Sequence, residues 1–355
     1  MNAPSTFTGV AVREADLRDA GECARIAGFV VDHGSGTPFH LPAWSMAVAE
    51  GCGHRACYLV AERADGALAG VLPLTFVRSM LFGRALVSSG FAVGGGCLAH
   101  DPATVRSLAE AAWALSRRLD CGGIELRGGP APGPDWISDD AAYLGFARDL
   151  AADDEAELLA IPRKQRAEVR KALANDLTIA TGEGERGDHY RVYATSVRNL
   201  GTPVFPRALF ARVLDRFGAA ADILTVRHQD VAVASVLSLF WGGTVYPYWG
   251  GGTDAARGLR ANDAMYFALM HDARARGCTR FDFGRSKAGT GAASFKKNWG
   301  FVGVPLVYHH RTASGERPRA INPLDPKYAA KIAAWKRLPL PIANWIGPLV
   351  ARGLA

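Results

Sequence analysis

Val10 and Val12 alternate with polar neighbours, the period of a half-buried strand. The spacing then lengthens. Leu17, Ala20, Ala24, Ala27 and Val31 recur at three- and four-residue intervals, which predicts a helix that Gly34 stops. A turn at Thr37-Pro38 leads to a second helix over 43–50. Residues 56–64 and 67–77 read as a hairpin whose Asp65-Gly66 suits a type I′ turn. A strand at 85–89 and the turn Gly94-Gly95-Gly96 follow. Asp101 before Pro102 supplies an N-cap and a proline at the first helical position, opening an amphipathic helix to 119. Residues 124–127 make a closing strand.

Proline and glycine concentrate over 128–134, a linker signal. After a basic helix over 162–175 the first order returns: a strand at 177–180, helices at 190–200 and 207–217, strands at 222–228, 231–241 and 244–249, a helix at 262–276 and a strand at 280–283. The repeat is one of element order, without residue identity. A strand, two helices, an antiparallel meander, a helix and a strand is the plan of the GNAT acyltransferase fold. The chain therefore reads as an α/β (α+β) protein of two tandem GNAT-like folds, each a mixed, mostly antiparallel sheet flanked by helices. Its 355 residues exceed one core of common size, in keeping with two domains. The expected divisions are 1–155, 156–315 and a basic amphipathic tail over 316–355, with the ligand cleft mainly on the second domain.

Composition changes this picture little. Apolar residues make up 49% and charged residues 21% of the chain, as in a folded globular protein. The net charge of +7 favours an anionic partner. The basic residues are dispersed and form no nucleic-acid motif, so DNA is not an expected partner. The six cysteines form no C-x-x-C pair and the nine histidines do not cluster with them, so no metal site is expected. They read as small buried hydrophobes in a reducing compartment. The start of the chain lacks a basic stretch followed by an apolar core, and the apolar run 231–241 is too short to span a bilayer. The expected location is cytoplasmic, with peripheral contact to the inner membrane.

The tail motivates that contact. Lys327, Lys331, Lys336 and Arg337 flank Tyr328, Trp335, Leu338, Leu340, Ile342 and Trp345, as in an interfacial segment on an anionic membrane. Pro339, Pro341 and Pro348 preclude a continuous spanning helix.

The candidate chemistry lies in the string FDFGRSKAGTGAASFKKNWGF over 281–301. A strand ends in a loop holding Arg285, Ser286, Lys287, Gly289 and Gly291, and a short helix begins. Free N–H groups at a helix start attract an anion, and the glycines allow close approach to a phosphate. Phe295 and Trp299 form the buried stripe of that helix, and Lys296 reaches back toward the loop. Asp282 is a candidate general base at a strand end. Tyr246 and Tyr248 alternate on one strand and face one side of the sheet. His309-His310 follows a strand pattern and is read as surface.

This string closely resembles the C-terminal signature of FemAB-family proteins, which transfer amino acids or acyl groups onto bacterial cell-envelope precursors, and most of all the branch associated with exosortase/PEP-CTERM systems and exopolysaccharide genes. Further similarity lies in TPFHLPAW at 37–44, GVLPLTFVRSMLFG at 70–83, IPRKQRAEVRKALANDL at 161–177 and PKYAAKIAAWKRLPL at 326–340, so it covers almost the whole chain. The resemblance implies a cleft where an amine or hydroxyl attacks an activated ester or thioester, Lys296 touching the acceptor or reacting centre. Arg166 and Arg170 resemble the family's R-x-x-x-R stretch and, four apart on a helix, share a face suited to a pyrophosphate. No permanently bound cofactor is implied; the donor substrate is acyl-CoA or aminoacyl-tRNA and the acceptor an envelope-saccharide precursor. The long charged hairpin of the tRNA-dependent members is missing. The glycine-rich run 250–260 does not match the R/Q-x-x-G-x-G/A loop of CoA binding, and the donor stays open. A non-catalytic adaptor for polysaccharide assembly and, on net charge alone, a nucleic-acid-binding module are the competing classes.

Overall fold

The computed structural model describes residues 9–79, 82–315 and 326–354. The chain divides into two units, one of 1–140, 307–320 and 352–355, the other of 141–306 and 321–351.

In the first unit β1 (Val10–Glu14), β2 (Arg55–Arg63), β3 (Leu68–Ser79) and β4 (Gly83–Ser88) pair antiparallel in succession. Next comes β6 (Gly123–Arg127), parallel to β4, and then the 308–312 stretch of β13 (Gly303–Thr312), antiparallel to β6. The short β5 (Leu98–Ala99) lies beside β3. Helices α1 (Ala20–Asp32) and α2 (Pro42–Cys52) pack on this sheet with α3 (Pro102–Arg118), whose N-cap is Asp101 accepting from the Thr104 N–H. Leu72, Leu74, Leu86, Leu108, Ala112 and Leu126 fill the core between α3 and the strands. The β2–β3 turn is not type I′. Only Gly66 has a positive φ, and the Arg63 N–H donates to the Ala67 carbonyl while Gly66 N–H donates to Arg63. That makes a three-residue loop with glycine at its left-handed position.

In the second unit the strand order is β7 (Ile137–Asp149, from 141 onward), β12 (Arg280–Lys287), β11 (Thr244–Gly252), β10 (Val231–Trp241), β9 (Ala221–His228) and β8 (Thr178–Thr181). Again one neighbouring pair, β11–β12, is parallel and the others are antiparallel. Helix α9 (Ala261–Ala275) packs on β9, β10 and β11, and α5 (Arg163–Leu173) packs on α9. Helix α6 (Arg186–Leu200) covers β10 and β11, with α7 (Arg207–Phe217) beside it. The short helices are α4 (Asp154–Ala160), α8 (Asp254–Leu259) and α10 (Gly291–Asn298). Phe281, Phe283, Trp299 and Phe301 join the α9 side chains Met265 and Met270 in the core.

Each unit is thus a mixed, mostly antiparallel sheet flanked by helices, in the order read from the repeat. The division differs from the expected one at 155/156. Residues 137–149, to which the sequence pattern assigned no element, form β7, whose later half pairs with β12. The end of β13, expected in the second domain, pairs with β6 in the first unit. There His309 is buried, its Nδ1 2.8 Å from the Ser138 hydroxyl and its Nε2 3.4 Å from the Gly129 carbonyl, and burial lowers its pKa. The surface reading of His309-His310 is therefore corrected: a long strand closing a sheet brings both rings inside.

The tail forms α11 (Pro326–Arg337) and α12 (Leu340–Ala351), both packed on α6. The side chains of Lys327 and Tyr328, like Met80 and Leu81, lie outside the described residues. No helix of the described residues is long and apolar enough to cross a membrane.

Candidate functional site

Among the strand pairs described above, each unit has one parallel pair, and in both the pairing lasts two residues. In the first, Leu86 and Val87 pair with Ile124 and Glu125; in the second, Thr244 and Val245 pair with Arg280 and Phe281. Beyond these ladders the strands run on unpaired with each other. Backbone N–H and C=O groups along such a wedge need other partners.

In the first unit the protein supplies them. The Arg127 N–H donates to the Ser88 hydroxyl at 2.7 Å, and the Arg127 guanidinium donates to the Ala92 carbonyl and to Glu125. Trp44 Nε1 donates to the Gly90 carbonyl, the Gly90 N–H to Thr75, and Ser89 Oγ to the Phe39 carbonyl. All of 86–92 is buried, and Ser89 (φ 43) and Phe91 (φ 63) take left-handed conformations to achieve it.

The wedge of the second unit stays half-open. Tyr246, Tyr248 and Gly250–Gly252 on β11 and Asp282, Gly284 and Arg285 on β12 all retain partial exposure. Both strands are bulged here. On β11, Leu237 pairs with Trp249 and Ser238 with Pro247, so Tyr248 is the extra residue. Its ring meets that of Trp249 edge-on at 4.9 Å, which a regular strand, alternating faces, would not permit. The alternation expected for Tyr246 and Tyr248 therefore breaks at the bulge. On β12, Asp282 pairs with Ala147 but Arg285 with Gly145, and Gly284 turns at φ 64.

Lys296 braces that second bulge. From α10 its Nζ donates to the carbonyls of Phe283 (2.7 Å), Gly284 (3.2 Å) and Arg285 (2.9 Å). An ammonium has three donors, so all are engaged. Burial lowers its pKa to about 8 against the opposing pull of Asp282. The sequence suggested that this amine reaches the Arg285–Gly291 loop. It meets the first residue of that stretch, Arg285, and otherwise the Phe283 and Gly284 carbonyls at the β12 bulge. Asp282, the first β12 residue past the ladder, accepts from the Gly284 N–H at 2.8 Å, and burial holds its carboxyl above the usual range despite Lys296 and Arg280. Burial and the Asp282 charge push the Tyr246 phenol up to about 12.

Arg285 and Lys287 share one face of β12, their charges 4.5 and 5.6 Å from the Tyr143 ring of β7. Ser286 faces the other way and is buried. Gly289 takes φ 76 in the turn, and Gly291 is the first residue of α10. Thr290 caps α10, its hydroxyl accepting from the Ala293 N–H and donating to the Lys287 carbonyl. Trp299 is fully buried and Phe295 packs 6.3 Å from it, as the spacing predicts.

The basic helix is used differently. Arg166 folds back onto the end of α4, donating to the Ile161 and Leu159 carbonyls, while Arg170 is exposed. The structure does not bring Arg166 together with Arg285 or Lys296 through any of these bonds. Helix α5 is clamped to the start of α9 by Gln165 on Asp263 (2.6 Å) and by Arg260 on Glu168. Burial pushes the Asp263 carboxyl up to about 6. One turn on, the Tyr266 ring lies 4.8 Å from Phe283, and its hydroxyl is 3.1 Å from where a Cβ on Gly250 would stand. It therefore reaches across the foot of the wedge. The glycine run has a steric cause. A Cβ on Gly251 would fall 2.3 Å from the Ser196 hydroxyl of α6, and one on Gly252 2.6 Å from Ala256 and 2.8 Å from Asn262. Helices press on both faces of β11, and only glycine fits.

Tyr266, Asp263, Gln165, Tyr143 and Thr290 were not singled out from the sequence. Thr290, just before a helix, carried a readable capping signal. The others depend on contacts between distant elements.

A protein-family profile described as an acetyltransferase (GNAT) domain matches residues 162–297, the span containing the open wedge. No curated protein matches the chain. Among solved structures, FemX aligns over 84% of this chain and 96% of its own with a TM-score of 0.64 and 15% identity. A tandem GNAT protein from the clavulanic acid biosynthesis pathway aligns over 87% and 100%, with a TM-score of 0.51 and 13% identity. Saccharomyces cerevisiae N-myristoyltransferase with bound myristoyl-CoA aligns over 92% and 85%, with a TM-score of 0.53 and 10% identity. At such identities the likeness is one of fold: the chain has a tandem GNAT-type architecture, and its residues 162–297 match the GNAT acetyltransferase profile.

Proposed function

We propose that the protein is a cytoplasmic acyl- or aminoacyl-transferase whose reaction takes place in the second unit's wedge. The observation that carries this reading is that one wedge is sealed by its own chain and the other stays open, bulged and lined by titratable groups. The GNAT profile on that half and the FemAB-like string at 281–301 support it.

An activated acyl group, as an acyl-CoA thioester, enters between β11 and β12. The lone pair of an acceptor amine or hydroxyl attacks the acyl carbonyl, and ionised Asp282 takes the acceptor's proton. The carbon–sulfur bond breaks, and its electron pair leaves on a thiolate that Tyr266 protonates; solvent then returns the proton from Asp282 to Tyr266. Tyr248 lines the channel, Lys296 holds the β12 bulge that presents Asp282, and Arg285, with the turn Ala288–Gly291, faces the donor's phosphates. Rate comes from positioning and from stabilising the developing oxyanion. The acceptor class, a bacterial cell-envelope or exopolysaccharide precursor in an exosortase/PEP-CTERM setting, follows from the resemblance of the 281–301 string. Arg166 and Arg170 belong to this reading as acceptor contacts only if Arg166 releases the α4 carbonyls.

Thermal-shift titration tests the donor, because a ligand of the native state raises its stability. Acyl-CoAs should raise the melting temperature saturably, and Asp282→Asn should keep that shift while losing transfer. No shift with acyl-CoAs or aminoacyl-tRNA would refute the reading. A non-catalytic adaptor is the second reading, favoured by Lys296 and Arg166 both being engaged with backbone carbonyls. Donor binding without transfer to any saccharide acceptor would select it.

A further inference from the structure

Helix α12 shows two opposed faces. Ala343 and Ala351 are at most 2% exposed and Gly347 is buried, its Cα side against Val204. Ile342, Trp345 and Leu349 are 44%, 74% and 55% exposed. At about 100° per residue the two sets centre roughly 170° apart around the axis. The small residues let α12 lie close on the second unit, and the large apolar ones point away from it. A tryptophan this exposed inside an apolar stripe has no packing role in the fold, and such a stripe marks an interaction site.

The flanking charge identifies the occupant. From residue 326 onward the chain carries five basic residues, Lys327, Lys331, Lys336, Arg337 and Arg352, and no acidic one. Lys331, Lys336 and Arg337 are exposed on α11, the helix just before the stripe. A protein partner would need an apolar groove with an acidic rim. An anionic bilayer offers both in one surface, and tryptophan is enriched at that interface. Pro348 within α12 and its twelve residues suit a helix lying on a membrane and not one crossing it.

We infer that α12, with the basic side chains of α11, docks the second unit on an anionic lipid surface through Ile342, Trp345 and Leu349. The inference goes beyond the proposed transfer reaction and is read out without it.

Sedimentation of the full chain with vesicles of phosphatidylglycerol and phosphatidylcholine, beside vesicles of phosphatidylcholine alone, tests it. The parent should bind the anionic vesicles and weaken steeply with salt. The triple variant Ile342→Ser, Trp345→Ser, Leu349→Ser should bind about a hundredfold more weakly. Lys331→Glu with Arg337→Glu should bind about tenfold or more weakly. All altered side chains are exposed, and unchanged melting temperatures would confirm intact folds. Equal binding to both vesicle types, no loss in either variant, or a parent dimer that the triple variant alone dissolves would overturn the inference, the last by assigning the face to a second copy.

Discussion

The wedges of the two units begin from the same backbone arrangement and end differently. In the first, Arg127, Trp44, Ser88, Ser89 and Thr75 bond across the gap left when β4 and β6 stop pairing. In the second, two bulges, a run of three glycines and a braced strand keep the gap open. The difference teaches that strand order alone does not make a site. Whether the backbone groups of a splayed pair find partners within the chain decides whether that half is scaffold or binding surface. Substitutions in the first wedge should register in stability and those in the second in turnover, and that contrast is open to direct attack.

The largest expected effect is on turnover. Asp282→Asn should slow acyl transfer by about a hundredfold or more, the scale of losing a positioned general base. Its melting temperature should hold or rise, since the parent's buried carboxylate disfavours the fold. A rate near the parent's, measured by single turnover, would move the chemistry elsewhere. Arg127→Ala should cost roughly 3 kcal/mol of stability, because it removes the guanidinium of a residue only 3% exposed and leaves the Ala92 carbonyl buried without its donor. Calorimetry measures it, and donor affinity should stay within about twofold. A large loss of donor binding would break the assignment of this wedge to scaffold.

Lys296→Met sharpens the comparison from the other side. Loss of this amine leaves three carbonyls without their donor, so it should cost about 2 kcal/mol in denaturant unfolding, and turnover should fall along with it as the bulge relaxes. A variant as stable as the parent would show that water replaces the amine. The smallest effect concerns Asp263. Its folded pKa of about 6 lies above the ordinary carboxyl value, so the native state holds this proton more tightly than the unfolded one. The native state therefore loses stability as pH rises from about 4 to about 6. Asp263→Asn removes that loss while keeping the oxygen that accepts from Gln165. Its melting temperature should match the parent's near pH 4 and exceed it above pH 6; a constant gap across that range would contradict burial as the cause.

Local pattern carried much of the fold. Asp101-Pro102 begins α3, the three-strand meander after α7 lies where its apolar runs place it, and Phe295 and Trp299 form the inner face of α10. These features depend on interactions a few residues apart, which periodicity and capping residues encode. Strand β7 escaped because ISDDAAYLGFARD has neither clear alternation nor a continuous apolar run; it is a strand because β12 offers it a ladder. The hairpin turn differed because register, set across two strands, chose a three-residue loop over the two-residue turn that Asp-Gly permits.

At the site, the residue types in the 281–301 string were legible and their partners were not. Nothing near Lys296 in the chain says that its amine will meet three carbonyls of a bulge; that required β7 and β12 to pair out of step. Nothing near Arg166 says that it will cap α4. Tyr266 gained its place only when α9 came to lie beneath Gly250 and Phe283. The sequence by itself determined the element order, the repeat and the inventory of charged and small residues, because each follows from contacts local in the chain. Tertiary structure alone decided which wedge closes and which charge meets which carbonyl, because long flexible side chains go to whatever unpaired backbone group packing leaves within reach.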